Sequence, residues 1–203
     1  MLLHGRQFLD ILDYDWGEGD KRRFFDVERA FGYAEEVALR IGKRRLFVRG
    51  FIDRIDVEGG VTLVRDLKSG KAHPRKGREE GPTPSVDLQI GLYGLVAKEL
   101  ASRWKVPKRV HVAYVYADGR SGHERAFRDD YDLLEAATQE WLGVAEGLLS
   151  EGIFPRTPNP SDCGYCSFTP VCGPQAPERA LRCIETTKST AVAQFVALKV
   201  VDE

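Results

Sequence analysis

No apolar run in the 203 residues approaches 18 in length, and the first residues lack the hydrophobic core of a secretion signal. These two absences exclude a helical membrane span and give a soluble, cytoplasmic protein as the expectation. Charge of one sign is missing as well. The formal net charge is −1, so no chain-wide field draws a polyanion, and any nucleic-acid contact must come from cations gathered locally. There is no Gly-x-Gly-x-x-Gly and no Walker-type phosphate loop, which argues against a nucleotide cofactor. Internal repeats and long low-complexity stretches are absent too. Cysteine is scarce and unevenly placed: Cys163, Cys166 and Cys172 crowd together and Cys183 follows. Without a secretion signal, that clustering favours a metal or iron–sulfur site over a disulfide framework.

What is present suits one domain of ordinary size, 42% hydrophobic and 30% charged. Helix-spaced apolar residues run over 2–13 and over about 21–41, with a polar loop between them. Strands are expected at about 44–57 and 61–68. Residues 69–84 are broken by glycine and proline and carry Lys71, Arg75, Lys76 and Arg78. Thr83-Pro84 opens a helix to about Arg103. A strand at 109–117, a shorter one near 122–128 and a helix at about 130–150 follow. The last thirty residues read as weak helix or loop. The order predicts an α/β (α+β) core with a mixed sheet rather than a doubly wound nucleotide-binding unit.

The stretch 49–71, RGFIDRIDVEGGVTLVRDLKSGK, is the most informative. Gly59-Gly60 between two β-rich runs predicts a hairpin turn. That register sets Asp53 against Asp66, with Lys68 on the same face. Opposed like charges are destabilising at that spacing. They become tolerable when a hard divalent cation such as Mg²⁺ or Mn²⁺ sits between them. Such an ion polarises a phosphoryl oxygen and lowers the pKa of a bound water, and a lysine beside it can position that water or stabilise developing charge. An ordinary solvent-exposed hairpin with Asp and Lys on its outer face is the plain alternative.

Three segments in order then resemble the RecB-like branch of the PD-(D/E)XK nuclease superfamily. Gly50, Asp53, Arg54 and Asp56 fit its Gly-x-x-Asp-Arg-x-Asp strand, and Asp66 to Gly70 its Asp-x-Lys-Ser/Thr-Gly strand. Gln89 and Tyr93 fit its Gln-x-x-x-Tyr helix. The resemblance implies a restriction-endonuclease-like core, a mixed central sheet flanked by helices, over residues 1–152. It also implies that Asp53, Asp66 and the Leu67 carbonyl ligate the metal, that Lys68 is catalytic, and that Gln89 and Tyr93 orient the lysine and contact DNA. LLHGRQFLDIL looks like the family's N-terminal helix with a metal-binding histidine, which assigns His4 as a further ligand.

PNPSDCGYCSFTPVCG, spaced Cys-x2-Cys-x5-Cys, looks like the family's segment for the last three thiolates of a [4Fe–4S] cluster. A fourth thiolate would come from nearer the N-terminus, yet no cysteine precedes Cys163, so either Cys183 substitutes, or the site is incomplete, or the three are simply reduced cysteines in a tight turn. Zinc suits four thiolates equally. Residues 153–203 are accordingly read as a cysteine-bearing extension packed on the core. Together these features predict a metal-dependent deoxyribonuclease of DNA repair, an exonuclease fed by a helicase or similar subunit. Its expected DNA contacts are the loop 71–78 and the region of Arg103 and Lys105. The rival readings are a nuclease-like scaffold that binds DNA or a helicase without cutting, and a zinc module at 163–183.

Overall fold

The computed structural model describes residues 2–17, 21–68, 82–116, 124–128 and 131–200. The basic loop 71–78 lies outside them. Helix α1 (Leu2–Gly17) is followed by strands β1 (Arg22–Phe31), β2 (Val37–Ile41), β3 (Arg44–Val48), β4 (Gly50–Glu58) and β5 (Val61–Lys68). Helix α2 (Pro84–Trp104) leads to β6 (Val110–Tyr116), β7 (Glu124–Phe127) and α3 (Tyr131–Glu151). A 3-10 turn (Pro160–Tyr165) and helices α4 (Thr169–Cys172), α5 (Ala176–Thr186) and α6 (Thr190–Val200) complete the chain. Within the described residues no helix is long and apolar enough to cross a membrane.

Three expectations need correction, the first being the single strand over about 44–57, which is two strands, β3 and β4, in different sheets. Residues 21–41 form strands β1 and β2, not a helix. Their aromatic and β-branched residues satisfy either period, and the choice is made at long range: β1 pairs antiparallel along β4, with a bulge between Phe24 and Asp26. Gly32, at φ 76°, then turns the chain where the expected helix would have continued. The final segment is more regular than expected, because α5 and α6 occupy most of it.

The chain divides into two compact units, Met1–Pro82 with Val86–Thr138, and Thr83–Ser85 with Gln139–Glu203. The first holds a five-stranded sheet in the order β1-β4-β5-β6-β7 and the separate β2-β3 hairpin. Strands β5 and β6 are parallel and the other pairs antiparallel, so the sheet is mixed. A parallel pair needs a crossover, and α2 lies on the β5-to-β6 connection. Gly59 and Gly60 both have positive φ, the twist-matched two-residue turn, and lock Glu58 against Val61 and Arg54 against Arg65. The core of this unit includes Ile55, Leu63, Val64, Ile90, Val96, Val112 and Val115, each fully buried or nearly so.

One sheet face carries an ion network that ties α1 to the sheet. Arg65, fully buried, stands 2.8 Å from Asp15, 3.2 Å from Asp56 and 3.3 Å from Glu124. Arg22 adds contacts of 3.0 Å each to Glu58 and Glu124, Arg54 binds Asp56 at 3.1 Å, and Arg128 binds Glu58 at 2.8 Å. Burial by itself would raise the Asp15 carboxyl, but hydrogen bonding and charge from Arg65, with Arg54 and Arg22, hold it below the ordinary value. Arg54 and Asp56 of the first motif therefore act in structure, on the side of β4 away from Asp53.

In the second unit, Lys199 of α6 pairs with Asp162 of the 3-10 turn at 2.8 Å. Asn159 caps that turn by accepting from the Ser161 amide. Arg179 donates to the Cys172 carbonyl, and Ala176 and Ala180 of α5 are buried.

Candidate active site

The β4–β5 register, carried one step past Arg54 and Arg65, opposes Asp53 to Asp66. The two strands part there. The Leu67 amide donates to Asp53 Oδ2 at 2.8 Å. Asp53 is half-buried, while Asp66 is only 2% exposed and so is not the surface carboxylate of an ordinary hairpin. Burial pushes the Asp66 carboxyl above its usual range; the adjacent Lys68 pulls it back, and the Asp53 charge raises it again.

Lys68 Nζ stands 2.6 Å from Asp66 Oδ2, yet that buried oxygen has no well-formed hydrogen-bond partner among the described residues. Nζ also donates to Gln89 Oε1 at 3.4 Å and lies 5.7 Å from the centre of the Tyr114 ring. Gln89 Nε2 in turn donates to the Tyr93 hydroxyl at 2.9 Å. Strand β5 and one turn of α2 thus build a continuous chain, Asp66–Lys68–Gln89–Tyr93. Burial, followed by the charges of Asp53 and Asp66, holds the Tyr93 phenol protonated above its ordinary value.

Sequence reasoning missed Tyr114 and Asp87. Tyr114 sits directly beside Asp66 in the parallel β5–β6 register, and its hydroxyl donates to the fully buried Asp87 of α2 at 3.3 Å. Burial, then the Asp87 and Asp66 charges, raises the Tyr114 phenol far above 10.0, so it stays a neutral donor. No local signal marks Tyr114 in its run of β-formers; only the crossover brings it to Asp66.

Other expected residues fall elsewhere. His4 lies on α1, with its side chain outside the described residues. Arg103, expected at DNA, is paired with Glu35 at 2.6 Å, and Lys105 is exposed at φ 57°. Cys163 and Cys172 are half-buried, Cys166 and Cys183 exposed, and all are free thiols. Among the described residues no three His, Cys, Asp or Glu side chains gather to hold a metal. As folded, the thiols do not fit a four-thiolate cluster. Asp53 and Asp66 remain as a carboxylate pair with the Leu67 backbone between them, a hard-oxygen set that suits Mg²⁺ or Mn²⁺ completed by water.

Residues 6–173 match the PD-(D/E)XK nuclease superfamily. The chain belongs to that superfamily, whose restriction-endonuclease-like core accounts for the mixed five-stranded sheet flanked by helices. Its members in general are nucleases that use divalent metals. The chain is 30% identical over 143 residues to the Gene 69 protein of Mycobacterium phage D29, covering 68% of this chain and 47% of that protein. The Gene 69 protein of Mycobacterium phage L5 is 28% identical over 142 residues, 68% of this chain and 44% of that protein. The chain therefore spans less than half the length of these phage proteins. The crystal structure of SSO0001 aligns at 15% identity with a TM-score of 0.39, over 85% of this chain and 67% of that one.

Proposed function

We propose that this chain is a Mg²⁺- or Mn²⁺-dependent deoxyribonuclease of the RecB-like branch, hydrolysing phosphodiester bonds with water. The observation that supports this best is the buried Asp66, set opposite Asp53 by the strand register and paired with Lys68, which Gln89 holds. Asp53, Asp66 and the Leu67 carbonyl would hold the ion, with His4 of α1 as a further ligand. When bound, the metal supplies Lewis-acid charge at the scissile phosphate and a more acidic water.

The chain's own residues do the rest. Lys68 orients the attacking water and stabilises negative charge as it develops on the phosphate. Gln89 fixes the ammonium by accepting from it, and the Tyr93 hydroxyl fixes Gln89. The Tyr114 ring beside Nζ limits where the ammonium can move.

The test is a cleavage assay on end-labelled single- and double-stranded DNA with Mg²⁺, Mn²⁺ or EDTA, wild type beside Asp66→Ala. Cleavage with metal, absent in EDTA and in the variant, supports the reading; metal-independent cleavage or a fully active variant defeats it. An exonuclease further requires that circular single strands survive while linear ones are degraded.

A further inference from the structure

Away from the carboxylates, the β2–β3 hairpin poses the opposite electrostatic problem. Residues 37–49 carry Arg40, Lys43, Arg44, Arg45 and Arg49 and no Asp or Glu, in a chain whose net charge is −1. Val37, Leu39 and Ile41 are buried, so the alternate residues of β2 face solvent. On that outer face Arg40 pairs directly with Arg45, and Ala38 with Phe47. Opposed arginines repel at such spacing, and neither has a carboxylate partner among the described residues. Nearby Glu35 is already engaged by Arg103.

Aromatic rings are interleaved with these cations and left open to water. Phe47 is 57% exposed with the Arg45 guanidinium 5.3 Å from its ring centre. Tyr33, 56% exposed, and Phe51, 46% exposed, lie 5.1 Å apart between centres at 37°, with Arg49 5.7 Å from the Tyr33 ring. Phe51 stands two residues before Asp53 on β4, about 7 Å of strand. Burying three large rings in the core would be favourable, so their joint exposure beside Arg40, Arg45 and Arg49, none of which has a carboxylate partner among the described residues, identifies a surface awaiting a flat, anionic partner.

We infer that this face is a track for single-stranded DNA, with phosphates on Arg40, Arg45 and Arg49 and unpaired bases on Phe47, Tyr33 and Phe51. The inference rests on the proposed nuclease reading and extends it by naming the substrate form. An unpaired base offers a free π-face to an exposed ring, whereas duplex bases are already stacked on each other. The arginines neutralise the backbone and, by stacking on the same rings, keep the platform rigid before the strand arrives. A strand so held leads past Phe51 toward Asp53, which delivers a single-stranded end to the carboxylates.

The test uses the full chain in EDTA, so that nothing is cut, and fluorescence anisotropy with labelled oligo(dT) and with a blunt duplex. Wild type is expected to bind oligo(dT) more tightly than the duplex. Tyr33→Ala combined with Phe51→Ala should weaken oligo(dT) binding by about tenfold or more. Arg45→Gln should lower the slope of log affinity against log salt by about 0.7, the loss of one single-strand phosphate contact. All these side chains are exposed, and an unchanged melting temperature verifies that each variant is folded. Tighter duplex binding, or oligo(dT) affinity untouched by the double aromatic variant, would overturn the track. The same variants assayed with Mg²⁺ separate the two ideas. If wild type cuts but the aromatic variants bind and cut single strands as it does, the track fails and the nuclease stands. If nothing cuts yet the aromatic variants lose binding, the track stands and the nuclease fails.

Discussion

Asp66→Asn exchanges an ionisable oxygen for an amide of the same shape, and its effects on stability and on activity should have opposite signs. In the metal-free protein the ionised Asp66 is 2% exposed, faces Asp53, and is only partly offset by a lysine ammonium that water also reaches. Its folded pKa is raised above the ordinary 3.8, so ionisation costs more in the folded than in the unfolded chain. Wild-type stability therefore falls as pH rises from about the unfolded value through the raised folded one. Asparagine removes that penalty. Relief of the cross-strand repulsion alone contributes about 0.2–1 kcal/mol. For a chain of this length that is a gain of roughly 0.5–4 °C in melting temperature. The gain should be present at pH 8 and shrink as pH falls through the raised folded value and below the ordinary 3.8. Millimolar Mg²⁺ or Mn²⁺ should reverse the ranking: binding only to wild type at about 100 times Kd would add about 2.7 kcal/mol. Cleavage by the variant should be lost throughout. Calorimetry with EDTA and with metal, across that pH range, measures all of this. A variant less stable than wild type at pH 8 in EDTA, or equally stabilised at pH 3.5, would refute the reasoning.

Lys68→Ala should reduce cleavage at least about 10²-fold, and unlike Asp66→Asn it should destabilise the metal-free protein by uncovering a buried carboxylate; turnover and melting curves read both. Arg65→Met strips the cation from Asp15, Asp56 and Glu124 in a buried network, an expected loss of about 3–5 kcal/mol in urea unfolding; a loss below about 1 kcal/mol would show that those carboxylates find other partners. Because Arg65, with Arg54 and Arg22, holds Asp15 below its ordinary 3.8, the stability Asp15 contributes is complete above that value and is lost as pH falls through the depressed one. Thermal melts between pH 7 and pH 2 should therefore show wild type losing its advantage over Arg65→Met. Iron and acid-labile sulfide, assayed after anaerobic purification, should fall short of a full cluster per chain, and a stoichiometric content that survives Cys183→Ser would mean that the cysteines adopt another arrangement.

The hairpin was legible in the sequence because its determinants are local. Gly59-Gly60 selects a turn, the turn fixes the register, and a period of two places Asp53, Asp66 and Lys68 without knowledge of anything else. Gln89 and Tyr93 were readable for the same reason, since four residues of helix bring them onto one face. Residues 21–41 defeated the reading because their apolar spacing fits a helix or a strand, and the deciding term was backbone hydrogen bonding, of β1 to β4, whose partners lie 19 to 36 residues downstream, and of β2 to β3. The burial of Asp66, its neighbour Tyr114 and the engagement of Arg54 and Asp56 with Arg65 and Asp15 depend on which strands and helices meet. The basic hairpin was overlooked because its charges are diluted in the composition and become a face only when β2 and β3 pair and bury Val37, Leu39 and Ile41. By itself, then, the sequence determined the local geometry of a two-carboxylate hairpin and its supporting helix turn. Tertiary structure decided which of those charges are desolvated, because burial depends on which strands and helices meet, and burial is what raises the cost of ionising Asp66 above that of a surface carboxylate.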